Sequence, residues 1–313
     1  MSKKFAIVFP GQGSQAVGML AELAKDHPVV RMTFEEGSVA LGFDLWSLSQ
    51  QGPIEQLNET QNTQPALLCA GIAVMRVLDE RLEQPPLAMA GHSLGEYTAL
   101  VAAGVLDLAD AVQLVAKRGR LMQEAVPAGH GAMAAILGLD DKQVRELCEE
   151  AAQGQVVEAV NFNSPGQVVV AGDAEAVSRA TDIARAVGAK RALLLDVSVP
   201  SHCALMKPAA QRLAQALQAV VFHAPSTPVL HNVTAAEAAD PDDIRNLLVE
   251  QLFSPVRWVE TVQGLTQHGV ELVVEAGPGK VLTGLVKRID KSLQALPVVD
   301  PVSLDNAVEA VNA

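Results

Sequence analysis

With 313 residues, of which 49% are apolar and only 19% charged, the chain can bury one large core and a smaller one. A net charge of −13 and only 3% aromatic residues argue against nucleic acid, which needs basic stripes and stacking rings, and against anionic membranes. No run of 18 apolar residues occurs, and Pro10 follows Lys3-Lys4-Phe5-Ala6-Ile7-Val8-Phe9 too soon for a secretory leader, so a cytoplasmic protein is expected.

The first half alternates strand and helix: a strand over 4–9, helices near 16–42 and 64–82, a strand at 86–90, and helices over 94–103 and 108–125. Residues 131–196 change character. Their pattern predicts strand 131–137, helix 140–152, strands 156–160 and 168–171, helix 173–187 and strand 191–197, the β-α-β-β-α-β order of a ferredoxin-like unit. A hairpin loop is expected at Asn161-Phe162-Asn163-Ser164-Pro165-Gly166-Gln167. Beyond it come a helix over 205–220, a strand at 229–233, helices over 242–252 and 256–268, a strand at 272–276 and a last helix ending at 289. The expected fold class is therefore α/β. An α/β-hydrolase-like large domain, residues 1–127 and 198–313, receives the ferredoxin-like small domain, 128–197, as an insert.

Gly91-His92-Ser93-Leu94-Gly95 lies between a predicted strand and a predicted helix. This is the nucleophile-elbow pattern: the turn is too tight for flanking side chains, and the serine hydroxyl projects from it toward the free amides of the helix. A serine nucleophile needs a base. His92 is adjacent and points away, whereas His202, in Val199-Pro200-Ser201-His202, sits where the insert rejoins the large domain and a cleft should form. A packed or capping histidine is the alternative reading. His27, His130, His223, His231 and His268 show no metal-ligand spacing and read as surface or packing residues. Cys69, Cys148 and Cys203 lack C-x-x-C spacing, so neither disulfides nor a metal site is expected. Gly11-Gln12-Gly13-Ser14-Gln15 lacks the Lys-Ser/Thr of a phosphate-binding loop; it suits instead a second backbone donor, so the amides of Gln12 and Leu94 are assigned to an oxyanion hole.

Six motifs together carry a resemblance: Gly11-Gln12-Gly13-Ser14-Gln15, Thr63-Gln64-Pro65-Ala66, Gly91-His92-Ser93-Leu94-Gly95-Glu96-Tyr97, Arg118-Gly119-Arg120-Leu121-Met122-Gln123, Ser201-His202 and Gly277-Pro278-Gly279-Lys280. Over nearly its whole length the chain resembles the malonyl-CoA:acyl carrier protein transacylase family of bacterial fatty acid synthesis. The resemblance implies Ser93 as nucleophile, His202 as general base and Arg118 as the ligand of the malonyl carboxylate. Without it, Arg118 is an arginine on an amphipathic helix that would pair with Asp110 or Glu124, or face solvent.

No carboxylate is marked as a third triad member. The resemblance instead implies that the backbone carbonyl of Gln251 orients the histidine, so that Gln251→Ala should be nearly silent. Gln64 and Asn232 are expected in the pocket, and residues 199–201, Ser201 among them, in its selectivity wall. The implied substrates are malonyl-CoA and an acyl carrier protein bearing phosphopantetheine, with no cofactor, no nucleic acid or membrane, and a monomeric chain. Lys190-Arg191 and Lys287-Arg288 could dock an acidic partner, although paired basic residues more often form only a solvated face. A related acyltransferase serving a polyketide synthase, or hydrolysing acyl chains, would share these residues.

Overall fold

The computed structural model describes residues 3–197 and 199–313. Ser198, the expected first residue of the large domain's second segment, lies outside them, as do Met1 and Ser2. From the amino end the chain forms β1 (Phe5–Phe9), α1 (Ala21–Asp26), α2 (Pro28–Leu41), α3 (Leu45–Gln51), α4 (Ile54–Leu57), α5 (Thr60–Asp79), β2 (Ala88–Gly91), α6 (Leu94–Ala102) and α7 (Leu108–Ala125). Then come β3 (Gly131–Leu137), α8 (Asp141–Ala152), β4 (Val157–Ser164), β5 (Gln167–Asp173), α9 (Ala174–Ala186) and β6 (Arg191–Leu194). The remainder is α10 (Lys207–Leu217), β7 (Val229–Leu230), α11 (Pro241–Glu250), α12 (Trp258–Gln267), β8 (Leu272–Ala276), α13 (Val281–Ile289), β9 (Gln294–Val298) and α14 (Pro301–Asn312).

Five strands make a parallel sheet in the order β7-β2-β1-β8-β9. Every residue of β1, β2 and β8 is buried, as parallel strands covered on both faces require. Ile7 and Phe9 face a core shared with α5, α6 and α7, while Ala6 and Val8 face a second one shared with α12 and α13. The other four strands form an antiparallel sheet in the order β4-β5-β3-β6. Along β5 the alternation is clean: Val168 and Val170 pack under α8 and α9, whereas Val169 and Ala171, with Met133 of β3, face the opposite way, toward Cys203. No helix among the described residues is long and apolar enough to cross a membrane.

Several boundaries differ from the sequence reading. The helix expected over 16–42 is two, broken at His27, because Pro28 is accommodated at the start of a helix and not within one. β4 runs on to Ser164, so the hairpin turn shrinks to Pro165-Gly166, and Asn161 and Asn163 lie on a strand instead of in a loop. β7 ends at Leu230, because His231 and Asn232 leave the sheet to bond with Glu96. The chain also continues past α13 into β9 and α14. Asp300 caps α14 through a reciprocal bond with Ser303, and Pro301 opens it; that signal was present in Asp300-Pro301-Val302-Ser303.

Candidate active site

The elbow stands at the carboxyl ends of β1 and β2. A Cβ on Gly91 would lie 1.9 Å from the Gly95 carbonyl, and one on Gly95 would lie 2.0 Å from the Phe9 oxygen, so neither position admits any other residue without moving backbone. Ser93 itself is held at φ 52°, ψ −106°, a conformation that persists only where the surroundings over-determine it. Asn232 does this from behind. Its Oδ1 accepts from the Ser93 amide at 2.7 Å and its Nδ2 donates to the Gly91 carbonyl at 2.7 Å, so one side chain pins both sides of the turn. With the Ser93 amide occupied, the Leu94 amide, first in α6, is the elbow donor left for a ligand; Gln12 reaches the same cavity from the loop after β1.

His202 sits at φ 67°, anchored by its own amide to the Leu252 carbonyl at 3.0 Å. Its Nδ1 lies 2.7 Å from the Gln251 carbonyl oxygen, which can only accept, so the ring proton is on Nδ1. Nε2 is then an acceptor for the Ser93 hydroxyl, 2.8 Å away. Burial, and after it the Arg118 charge, push the His202 pKa from 6.5 down to about 3. The imidazole is therefore neutral and able to take a proton across the whole physiological range. Since kcat/KM reports the free enzyme, it should stay level from about pH 8 to about pH 5, and a fall centred near pH 6.5 would contradict this assignment. The sign for stability runs the same way. Between 6.5 and about 3 the unfolded chain binds the proton and the folded one does not, so this contribution is complete above pH 6.5 and is lost as pH falls toward 3.

Arg118, on α7, is 1% exposed and pairs with neither Asp110 nor Glu124; Glu124 bonds Arg212 instead. The guanidinium turns inward. Nη1 donates to Gln64 Oε1 at 2.8 Å, and Nη2 donates to Gln251 Oε1 at 2.9 Å and to Ser93 Oγ at 3.3 Å. A planar, permanently charged fork thus lies beside the serine oxygen. A cavity of about 190 Å³ opens over Ser93, His202, Arg118, Gln12 and Leu94, walled by Met122, Met133, Val169 and Leu195 and flanked by His92, Asn161 and Asn163.

The structure brings all nine sequence-selected residues to one locus, with two differences of position. Gln64 and Asn232 are buried behind the cavity wall, positioning Arg118 and the elbow. Val199 and Ser201 line the cavity, while Pro200 packs on Gly131. A third difference concerns Gln251. Beyond its carbonyl, its side chain holds Arg118 and donates to the Ser93 carbonyl and to Glu96 Oε2, each at 3.0 Å, so a nearly silent Gln251→Ala is no longer expected. Of the two readings of His231, surface or packing, the packed one holds: it is 1% exposed and its Nδ1 donates to Glu96 Oε1 at 2.8 Å. His92 donates from Nε2 to Asn163 Oδ1 at 2.8 Å, tying the elbow to β4.

The comparisons with known proteins agree in one direction. A family model described as an acyl transferase domain matches residues 6–306. The malonyl CoA-acyl carrier protein transacylase of Escherichia coli (strain K12) is 58% identical, over 98% of this chain and 99% of its own length. The solved malonyl CoA-acyl carrier protein transacylase of Coxiella burnetii matches with a TM-score of 0.98 at 49% identity, over 100% of this chain and 99% of that one. A malonyl-transacylase solved in complex with its type II PKS acyl-carrier protein matches with a TM-score of 0.97 at 58% identity, over 98% and 99% of the two chains. Identity of this order over full length, joined to the elbow, imidazole and buried arginine, shows that the chain belongs to the malonyl-CoA:acyl carrier protein transacylase family of acyl transferases.

Proposed function

We propose that this protein moves a malonyl group from malonyl-CoA to the phosphopantetheine thiol of an acyl carrier protein, by way of a malonyl-Ser93 ester. The observation that carries the reading is the Ser93 oxygen itself, which lies within 2.8 Å of an unprotonated imidazole nitrogen and 3.3 Å of a buried guanidinium. Ser93 Oγ attacks the thioester carbonyl while its proton passes to His202 Nε2. The Gln12 and Leu94 amides receive the oxyanion, each worth ~10²- to 10³-fold. The C–S bond then breaks, and the imidazolium returns its proton to the leaving coenzyme A thiolate. In the second half the carrier thiol gives its proton to His202 and attacks the ester, and Ser93 leaves as the alcohol. The transfer balances without a metal or redox cofactor.

Arg118 takes the free carboxylate of the malonyl group through two parallel bonds. Doing so offsets the charge that holds His202 down, so the base strengthens when an acidic acyl group is seated. The Gln251 carbonyl is a neutral orienter, and a less basic imidazole favours a thiol acceptor over water. On this reading the large domain is α/β-hydrolase-like, residues 1–127 and 198–313, and the insert, 128–197, is ferredoxin-like, supported by its β4-β5-β3-β6 order.

The test is incubation with radiolabelled malonyl-CoA. A covalent protein adduct should form and be discharged faster by holo-carrier protein than by water; no adduct would sink the proposal. Because one similar solved protein serves a type II PKS carrier, discharge by fatty acid and polyketide carriers should be compared in the same assay.

A further inference from the structure

We propose that Glu96 is a positioning residue for the carboxylate-binding arm of the site: through the Gln251 amide it orients Arg118 and offsets its charge until an acyl carboxylate arrives. The inference rests on the malonyl reading above and adds a residue that reading does not use. Glu96 lies on the first turn of α6 and is 0% exposed. Its Oε1 accepts from His231 Nδ1 at 2.8 Å, and its Oε2 accepts from the Asn232 amide at 2.8 Å and from Gln251 Nε2 at 3.0 Å.

These bonds decide which way round the Gln251 amide sits. Its Nε2 faces two acceptors, Glu96 Oε2 and the Ser93 carbonyl, so its Oε1 must face Arg118 Nη2. Reversing the amide would set oxygen against oxygen twice and N–H against guanidinium once. The result is a chain of two hydrogen bonds, guanidinium to amide oxygen and amide nitrogen to carboxylate, with one neutral group between opposite charges.

The intervening amide has a chemical purpose. A guanidinium buried without any counter-charge is costly. One in a direct ion pair would have its fork already filled, and the substrate carboxylate would need to displace its partner. Among the described residues Arg118 bonds only Gln64, Gln251 and Ser93 oxygens, all neutral. Glu96 thus offsets the charge from one residue away and leaves the fork bonded only to neutral oxygens, which a substrate carboxylate can displace.

Glu96 also bonds the Asn232 amide, so its loss could disturb the elbow. That effect would fall equally on every acyl group, whereas loss of the Arg118 arm falls only on acidic ones. The experiment is single-turnover acylation of the full-length protein by malonyl-CoA and acetyl-CoA, read as a ratio within one sample, which does not depend on the folded fraction. For Glu96→Gln the malonyl:acetyl ratio should fall about tenfold, chiefly through a raised KM for malonyl-CoA. Gln251→Met severs the same link from its other end and should lower the ratio similarly, and the double variant should fall no further. An unchanged ratio in either single variant, or additive losses in the double, would overturn the proposal; if Glu96→Gln does not fold, the Gln251→Met ratio decides alone. Should Arg118→Ala also leave the ratio unchanged, the malonyl reading itself fails.

Discussion

Ser93→Ala is expected to form no malonyl adduct and to lower transfer by at least ~10⁴-fold, and His202→Ala should come within about tenfold of it. The magnitude follows from how the two side chains act. The hydroxyl is a weak nucleophile until its proton can leave, and the imidazole Nε2 at 2.8 Å is the acceptor placed to take it. Removing either partner removes the covalent route whole, so the double variant should lose little more than either single one. What remains is the Gln12 and Leu94 amides acting on a bound thioester. The measurement is stopped-flow acylation and steady-state transfer to holo-carrier protein. An additive double variant would show that the two groups do not work as a unit, and a labelled adduct persisting in Ser93→Ala would place the nucleophile elsewhere.

Arg118→Ala should cut acylation by malonyl-CoA at least ~30-fold and acylation by acetyl-CoA far less, because truncating one member of a buried charge pair costs about 2–5 kcal/mol. The charge is only part of the loss: the side chain also holds Gln64 and Gln251 in place, and its removal strands both amide oxygens in a buried site. Arg118→Lys should not rescue malonyl selection, since an ammonium cannot make two parallel bonds to one carboxylate. A second readout is independent of rate. With the guanidinium gone, the cause second only to burial in holding His202 near 3 disappears, so the acid limb of acetyl transfer should move upward in pH. Equal losses for both acyl groups, with an unmoved limb, would reduce Arg118 to a structural residue.

The features legible in the sequence were those with a local cause. Gly91 and Gly95 are legible because a turn this tight admits no Cβ, and the register of buried residues in β1, β2 and β8 is legible because parallel strands are apolar throughout. Glu96 stood inside the quoted elbow motif, and nothing in its neighbourhood marked it as the acceptor of three buried donors. Gln251 was legible only for its carbonyl, through the family resemblance. Its side chain was not, because an amide's orientation is set by partners the local chain does not contain.

Residue order alone called for a serine projecting from a strand-to-helix turn, a β-α-β-β-α-β insert interrupting an α/β core, and His202 following the insert's exit. Each follows from local sterics, periodicity or chain order. The inward turn of Arg118 in place of a partner along α7, the Asn232 clamp behind the elbow and the reach of Glu96 to Arg118 through Gln251 arise from long-range packing. Those contacts join residues 25 to 158 positions apart in the chain, and a hydrogen bond needs its partners within about 3 Å, a placement that only the packing of the two sheets and their helices supplies.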